Sequence, residues 1–217
     1  MTQGKRISSS VQTGSPTSYA DLWHLSWPLI LTMFLVFSVG LTDVYVAGRF
    51  SPKAQGAIGF GSQVLFFFGV LANGLGVGLV AMVSRLEGAG NIHGMWHTIR
   101  QGLLLTCILT LPLSLAGIIL VPGRQELVFL PQSVAVEAEN LLPFYAASLW
   151  PQAILTMGAA IFRARAKMVL VLLCSGCTAV FNLIGDFVLA FGYGIVPAMG
   201  PQGVAMATMA SSLIGAL

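Results

Sequence analysis

Two aspartates stand inside long apolar runs of this chain: Asp186 in "FNLIGDFVLAFG" (Phe181–Gly192) and Asp43 in "FSVGLTDVYVAG" (Phe37–Gly48). A charged aspartate at the centre of a membrane helix costs about 2.5–3.5 kcal/mol on insertion scales, so something must compensate for it. Asn182 lies four residues before Asp186 and therefore shares its helix face. Thr208, inside the last apolar run, adds a hydroxyl. Two carboxylates, a carboxamide and a hydroxyl are hard oxygen ligands, able to hold a proton, a sodium ion or a cationic substrate. Two carboxylates that meet out of water repel when both are ionised. Such a pair takes up a cation and releases it when access changes. The plainer reading is that the aspartates pair with or cap helix groups, and that Asn182 and Thr208 hydrogen-bond between helices as packing glue.

The elements that would carry these residues follow from composition. Of 217 residues, 56% are hydrophobic and 8% charged, whereas soluble domains have about 25% charged. With a mean hydropathy of +0.88, this is the composition of an all-α, polytopic membrane protein. Apolar runs of about 20 residues predict a six-helix transmembrane bundle over residues 21–217. The runs are Leu25–Ala47, Ala57–Val83, Ile99–Val121, Leu141–Phe162, Met168–Phe191 and Gly203–Leu217. The sixth is about 15 residues, roughly 22 Å at helical rise, too short to cross comfortably. The expectation is a truncated sixth helix and a missing C-terminal lobe or second copy as partner. Residues 1–20 are polar and rich in Ser, Thr and Gly, and read as a disordered cytoplasmic tail.

Net charge is only +3, and no basic patch with interleaved aromatics suggests nucleic acid; membrane lipid is the expected surrounding. Orientation follows from the distribution of Lys and Arg. With the N-terminus cytoplasmic, the inner segments hold seven (Lys5, Arg6, Arg85, Arg100, Arg163, Arg165, Lys167) and the outer ones three (Arg49, Lys53, Arg124). The expected location is a bacterial inner membrane with the N-terminus inside. Asp43, Asn182, Asp186 and Thr208 then all fall in the outer half of the bilayer, an agreement that nothing in the drawing of the spans imposed.

Other residues carry weaker signals. Tyr145, Trp150, Gln152 and Met157 could line a cavity in the fourth span, since aromatic and Met side chains suit flat cations; they equally suit a bundle core. Cys174 and Cys177 form a C-x-x-C without a second pair and, like Cys107, read as packing. His93 and His97 are spaced i, i+4 but no third metal ligand stands close. His24 reads as interfacial. Asn73, with Gly74, Gly76 and Gly78, reads as close helix packing.

Several stretches together resemble the N-terminal half of the multidrug and toxic compound extrusion (MATE) family. They are "LSWPLILTMFLVFSVGLTDVYVAGRFSPKAQGAIG" with Pro28, Asp43 and Gly48, "GVLANGLGVGLVAMVSRLEGAGN", the Asn-x-x-x-Asp of "FNLIGDFVLAFG", and "GPQGVAMATMASS". The resemblance covers about Tyr19 to Leu217. It implies one lobe of a twelve-helix transporter made of two six-helix lobes, exporting organic cations and drugs in exchange for Na⁺ or H⁺. It implies no enzyme activity, no catalytic residue and no cofactor beyond the coupling ion. It also implies a cation site at the positions Asp43, Asn182, Asp186 and Thr208, and a helix bend at Pro28, where a tolerated kink near the helix start is the plainer reading. One departure is "FRARAKMVL", with Ala166 where the family commonly has glycine.

Two alternatives remain open. A lipid-linked oligosaccharide flippase of the same superfamily would want several Lys or Arg in its cavity for a pyrophosphate, and the body of every span lacks them. An intramembrane aspartyl protease would use Asp43 and Asp186 as its dyad, but Leu183 stands where the first Gly of its Gly-x-Gly-Asp motif belongs.

Overall fold

The computed structural model describes residues 19–123 and 130–216, and the expected tail at 1–20 lies almost wholly outside them. Six helices follow in order: α1 (Tyr19–Gly48), α2 (Pro52–Gly88), α3 (Ile92–Leu120), α4 (Gln132–Ala164), α5 (Met168–Phe191) and α6 (Pro201–Ala216). The described residues contain no strand, only an isolated bridge between Tyr193 and Val196.

The helices outrun the apolar windows because their ends are capped in polar sequence. α2 starts at Pro52 behind Ser51, whose side chain accepts from the Ala54 amide. α3 starts behind Asn91, whose side chain accepts from the Gly94 amide. Both caps satisfy a donor that the first helical turn leaves over. α1 continues through Pro28, where the ring removes one backbone donor, and the Thr32 hydroxyl donates to the Pro28 carbonyl at 2.8 Å.

Three-residue turns join α1 to α2, α2 to α3 and α4 to α5, which makes these pairs antiparallel neighbours. Packing then closes a ring in the order α1, α2, α4, α6, α5 and back to α1, with α3 outside against α2 and α4. Four helices, α1, α2, α3 and α5, are individually long and apolar enough to cross a membrane. α4 is long enough but interrupted by Pro143, Pro151, Tyr145, Trp150 and Gln152, and α6 has 16 residues. The fourth apolar run, expected as an ordinary span, is therefore the most enclosed helix of the bundle. It touches α2, α3 and α6 extensively.

Two apolar clusters sit at opposite ends of the bundle. One joins Val46, Ala47, Ala57, Ile58, Leu141, Tyr145, Ala190 and Val204 beside the α1–α2 turn. The other joins Leu79, Val83, Met95, Ile99 and Met157 beside the α2–α3 turn. We refer to these as the carboxylate end and the thioether end. At the thioether end Arg165 Nε donates to Glu87 Oε1 at 2.9 Å, tying the α4–α5 turn to the end of α2. The same turn holds Ala166 at φ 54°. This left-handed conformation costs an L-residue about 1–2 kcal/mol, which gives a backbone reason for glycine at this position.

Candidate cation site

Asp43 lies a turn and a half before the end of α1, and Asp186 a turn and a half before the end of α5. Hydrophobicity sets that common depth; the facing of the two side chains comes from packing. α1 lies against α5, and α5 lies against α6. The α5–α6 contact is backbone on backbone. A Cβ added to Gly203 would stand 2.4 Å from the Leu189 carbonyl carbon and 2.6 Å from the Ala190 nitrogen. Only glycine permits that approach, and it brings Thr208 of α6 across to both aspartate-bearing helices.

The result is a chain of polar groups in the interior of the ring. Asn182 Nδ2 donates to Thr208 Oγ1 at 3.4 Å, and Thr208 Oγ1 is 3.4 Å from Asp43 Oδ2 and 3.2 Å from the carbonyl of Val204. Asp186 is fully buried, Asn182 is 2% exposed and Asp43 3%. The carboxyl groups of Asp43 and Asp186 are close enough to share a hydrogen bond once one of them carries a proton. With both ionised neither can donate, and Asp43 Oδ1, Asn182 Oδ1 and both oxygens of Asp186 then have no donor among the described residues. Buried polar atoms are nearly always paired, and here four oxygens at one place lack a donor among the described residues.

All four candidate ligands are thus brought together, and α4 adds a fifth group. Tyr145 is 1% exposed and lies near both carboxyl groups, with Ser62 of α2 beside its hydroxyl. That hydroxyl has no hydrogen bond of ordinary geometry. Its ring passes over α2 where Gly61 lacks a side chain; a Cβ there would lie 2.5 Å from the ring. Reading the sequence places Tyr145 only as a general lining residue and overlooks Gly61 and Ser62. The available signal was the pair "GS" in α2, a small residue next to a hydroxyl at matching depth.

The remaining candidates are scattered. Trp150 keeps a buried indole N–H without an acceptor among the described residues. Gln152 accepts from Ser212 of α6 at 3.1 Å, and Met157 packs in the thioether-end cluster. Pro28 is buried on α1. Cys174 and Cys177 are exposed free thiols and Cys107 is a partly buried one. Among the described residues no group of three His, Cys, Asp or Glu could form a metal centre of the usual kind. Asn73 turns back to donate to the Gly69 carbonyl of its own helix.

Comparison with known proteins gives this geometry a family. A probable multidrug resistance protein NorM of Rhizobium meliloti (strain 1021) is 27% identical over 205 residues, 93% of this chain and 43% of the relative. An FAD transporter of Shewanella oneidensis is 26% identical over 193 residues, 89% of this chain and 43% of the relative. The structure of a MOP superfamily transporter from Pyrococcus furiosus shares the fold with a TM-score of 0.77 at 21% identity, over 89% of this chain and 42% of that one. The chain therefore spans less than half the length of the relatives it matches. The family model described as MatE matches residues 28–188, a stretch that begins at the proline of α1 and ends just past Asp186, and the chain is accordingly an integral membrane protein of the MatE family of transporters.

Proposed function

We propose that the chain is the N-terminal lobe of a cation-coupled antiporter that exports organic cations and drugs, with H⁺ or Na⁺ bound by Asp43, Asn182, Asp186 and Thr208. The observation that carries the reading is the pair of buried carboxyl groups with orphaned oxygens at the centre of a five-helix ring. A single buried ion would be expensive. A pair that shares one incoming cation converts that expense into a driving force for uptake, and returns it when the cation leaves. Tyr145 and Ser62 supply neutral oxygens beside the pair. The NorM likeness supports multidrug cargo. Rocking of one lobe against another around a site near their interface is the way such carriers alternate access, so a second lobe or a second copy of the chain is the expected partner.

The test is direct. Purified chain in detergent should take up sodium or protons, read by equilibrium binding of radioactive sodium and by proton release on sodium addition. Asp43→Asn and Asp186→Asn should each abolish that binding while keeping helical content. Paired with its second lobe in liposomes, the protein should lose gradient-driven efflux of a fluorescent organic cation in both variants. Wild-type ion binding in either variant would overturn the assignment.

The same reading puts the N-terminus and the Arg163–Lys167 segment in the cytoplasm, from the seven-to-three distribution of Lys and Arg. Ser133, exposed at the start of α4, then faces outside. Ser133→Cys, on a background lacking Cys107, Cys174 and Cys177, should label from outside intact cells. Labelling only after permeabilisation would reverse the orientation.

A further inference from the structure

Among the described helices, α3 stands apart from the ring and touches only α2 and α4. Its far side is bare: Leu104, Leu105, Ile108 and Leu109 are about half exposed or more. Along one edge of that side runs a shallow groove of about 340 Å³, lined by Trp96, Ile99, Arg100, Leu103, Leu104 and Cys107. These positions follow the i, i+3, i+4, i+7 stripe of one helix face. From Trp96 to Cys107 the groove rises roughly 16 Å at 1.5 Å per residue. That is comparable to much of one leaflet, about half of a 30 Å hydrocarbon core.

The groove is apolar along its length and cationic at one end. Arg100 lies one turn from the start of the stripe, exposed, with no hydrogen bond or ion pair among the described residues. The carboxylate of Glu87, at the same end of the bundle, is already taken by Arg165. Trp96 sits one turn closer to the α2–α3 turn and is 56% exposed. Indole rings prefer the headgroup level of a bilayer; the backbone of Arg100 is then one turn deeper, and its long side chain, tilted toward the helix N-terminus, reaches back to the level of the lipid phosphates. A guanidinium with no protein partner among the described residues, between an indole on the headgroup side and two turns of Leu on the hydrocarbon side, matches a phosphate with an acyl chain attached.

We propose that this face of α3 is a binding site for one anionic phospholipid, with its phosphate on Arg100 and an acyl chain in the groove between Leu103, Leu104 and Cys107. Arg rather than Lys suits the task, since its planar fork can engage two phosphate oxygens. The site is separate from the carboxyl pair: neither ion binding nor drug export enters the argument.

Trp96 itself is the probe. The full chain is reconstituted in phosphatidylcholine vesicles, and phospholipids brominated on the acyl chain are added as phosphatidylglycerol or phosphatidylcholine. Bromine quenches an indole it touches. The chain has four tryptophans, so the Trp96 signal is taken as wild type minus Trp96→Phe. We expect half-quenching at about fivefold lower mole fraction of the anionic lipid, the ratio expected for one cation near an anionic headgroup. Arg100→Gln should remove the preference and Arg100→Lys should keep most of it, each with unchanged helical circular dichroism. Equal quenching by the two lipids overturns the proposal, and so does a preference that survives Arg100→Gln. If that variant fails to fold, the wild-type lipid comparison and Arg100→Lys decide. Reversal of the quenching by excess inorganic phosphate would mean that Arg100 holds free phosphate, and the lipid site would fall.

Discussion

The two ends of the bundle share α2 and α4 and both bury apolar side chains, yet their interiors are opposites. At the thioether end Leu79, Val83, Met95, Ile99 and Met157 fill the space, and the ion pair of Glu87 and Arg165 stays about one-third exposed. At the carboxylate end comparable apolar residues surround two aspartates, an asparagine and a tyrosine, five of whose polar atoms lack partners among the described residues. One end keeps its charges at the surface, where they do little; the other buries them, where they are costly unless answered. The contrast teaches where stability is spent in this fold. Packing at the thioether end fixes α2 and α4 against α3, and α4 in turn presents Tyr145 to the electrostatically unfinished carboxylate end.

Substitutions can break that comparison. The largest expected effect is at Met157. Met157→Ala removes a 1%-exposed side chain from the thioether-end cluster and should destabilise the chain by about 2–5 kcal/mol, with ion affinity unchanged where the protein is folded. Thermal unfolding in detergent, set beside sodium binding, checks both halves. Loss of ion affinity in folded Met157→Ala would show the two ends to be one cooperative unit.

Gly203→Ala comes next. Its Cβ would meet Leu189 backbone, which cannot swing aside, so α5 and α6 must part. We expect about 1–3 kcal/mol of destabilisation, together with weakened ion binding because Thr208 and Asn182 separate. Near-normal stability with a normal site would mean that the helices already have slack there.

The smallest effect belongs to the turn beside the ion pair. Ala166→Gly relieves a left-handed residue and should stabilise the chain by about 1 kcal/mol, less the entropy that glycine adds to the unfolded chain. A rise of a few degrees in the unfolding midpoint, with no change at the distant carboxyl pair, is the outcome that sharpens the contrast.

The depth of Asp43, Asn182, Asp186 and Thr208 was legible in the sequence because span length and membrane thickness fix depth together. The identity of their neighbours was not. Lipid and protein interior are both apolar, so hydrophobicity says little about which way a residue on α2 or α4 points. Tyr145 and Ser62 could be assigned a level but not a facing. α4 was read as an ordinary span for the same reason: apolar residues describe the run, whereas Tyr145, Trp150 and Gln152 describe its company. The helix ends beyond the apolar windows, at Pro52 and Ile92, were carried by the caps Ser51 and Asn91, local hydrogen bonds that hydropathy does not register.

Thr208 has one hydroxyl hydrogen and two claimants for it, the Val204 carbonyl of its own helix and the carboxylate of α1. Asn182 already occupies one of its lone pairs. When the hydrogen turns toward Val204, the threonine oxygen offers Asp43 nothing, and a visiting ion would find one more free oxygen. When it turns toward Asp43, the helix carbonyl is released instead and the carboxylate has one lone pair fewer to give. Which oxygen is open to a guest, the carboxylate or the helix carbonyl, is therefore set by the rotation of a single C–O bond. A bare ion that wants many oxygens and a proton that wants one would settle that rotor in different positions.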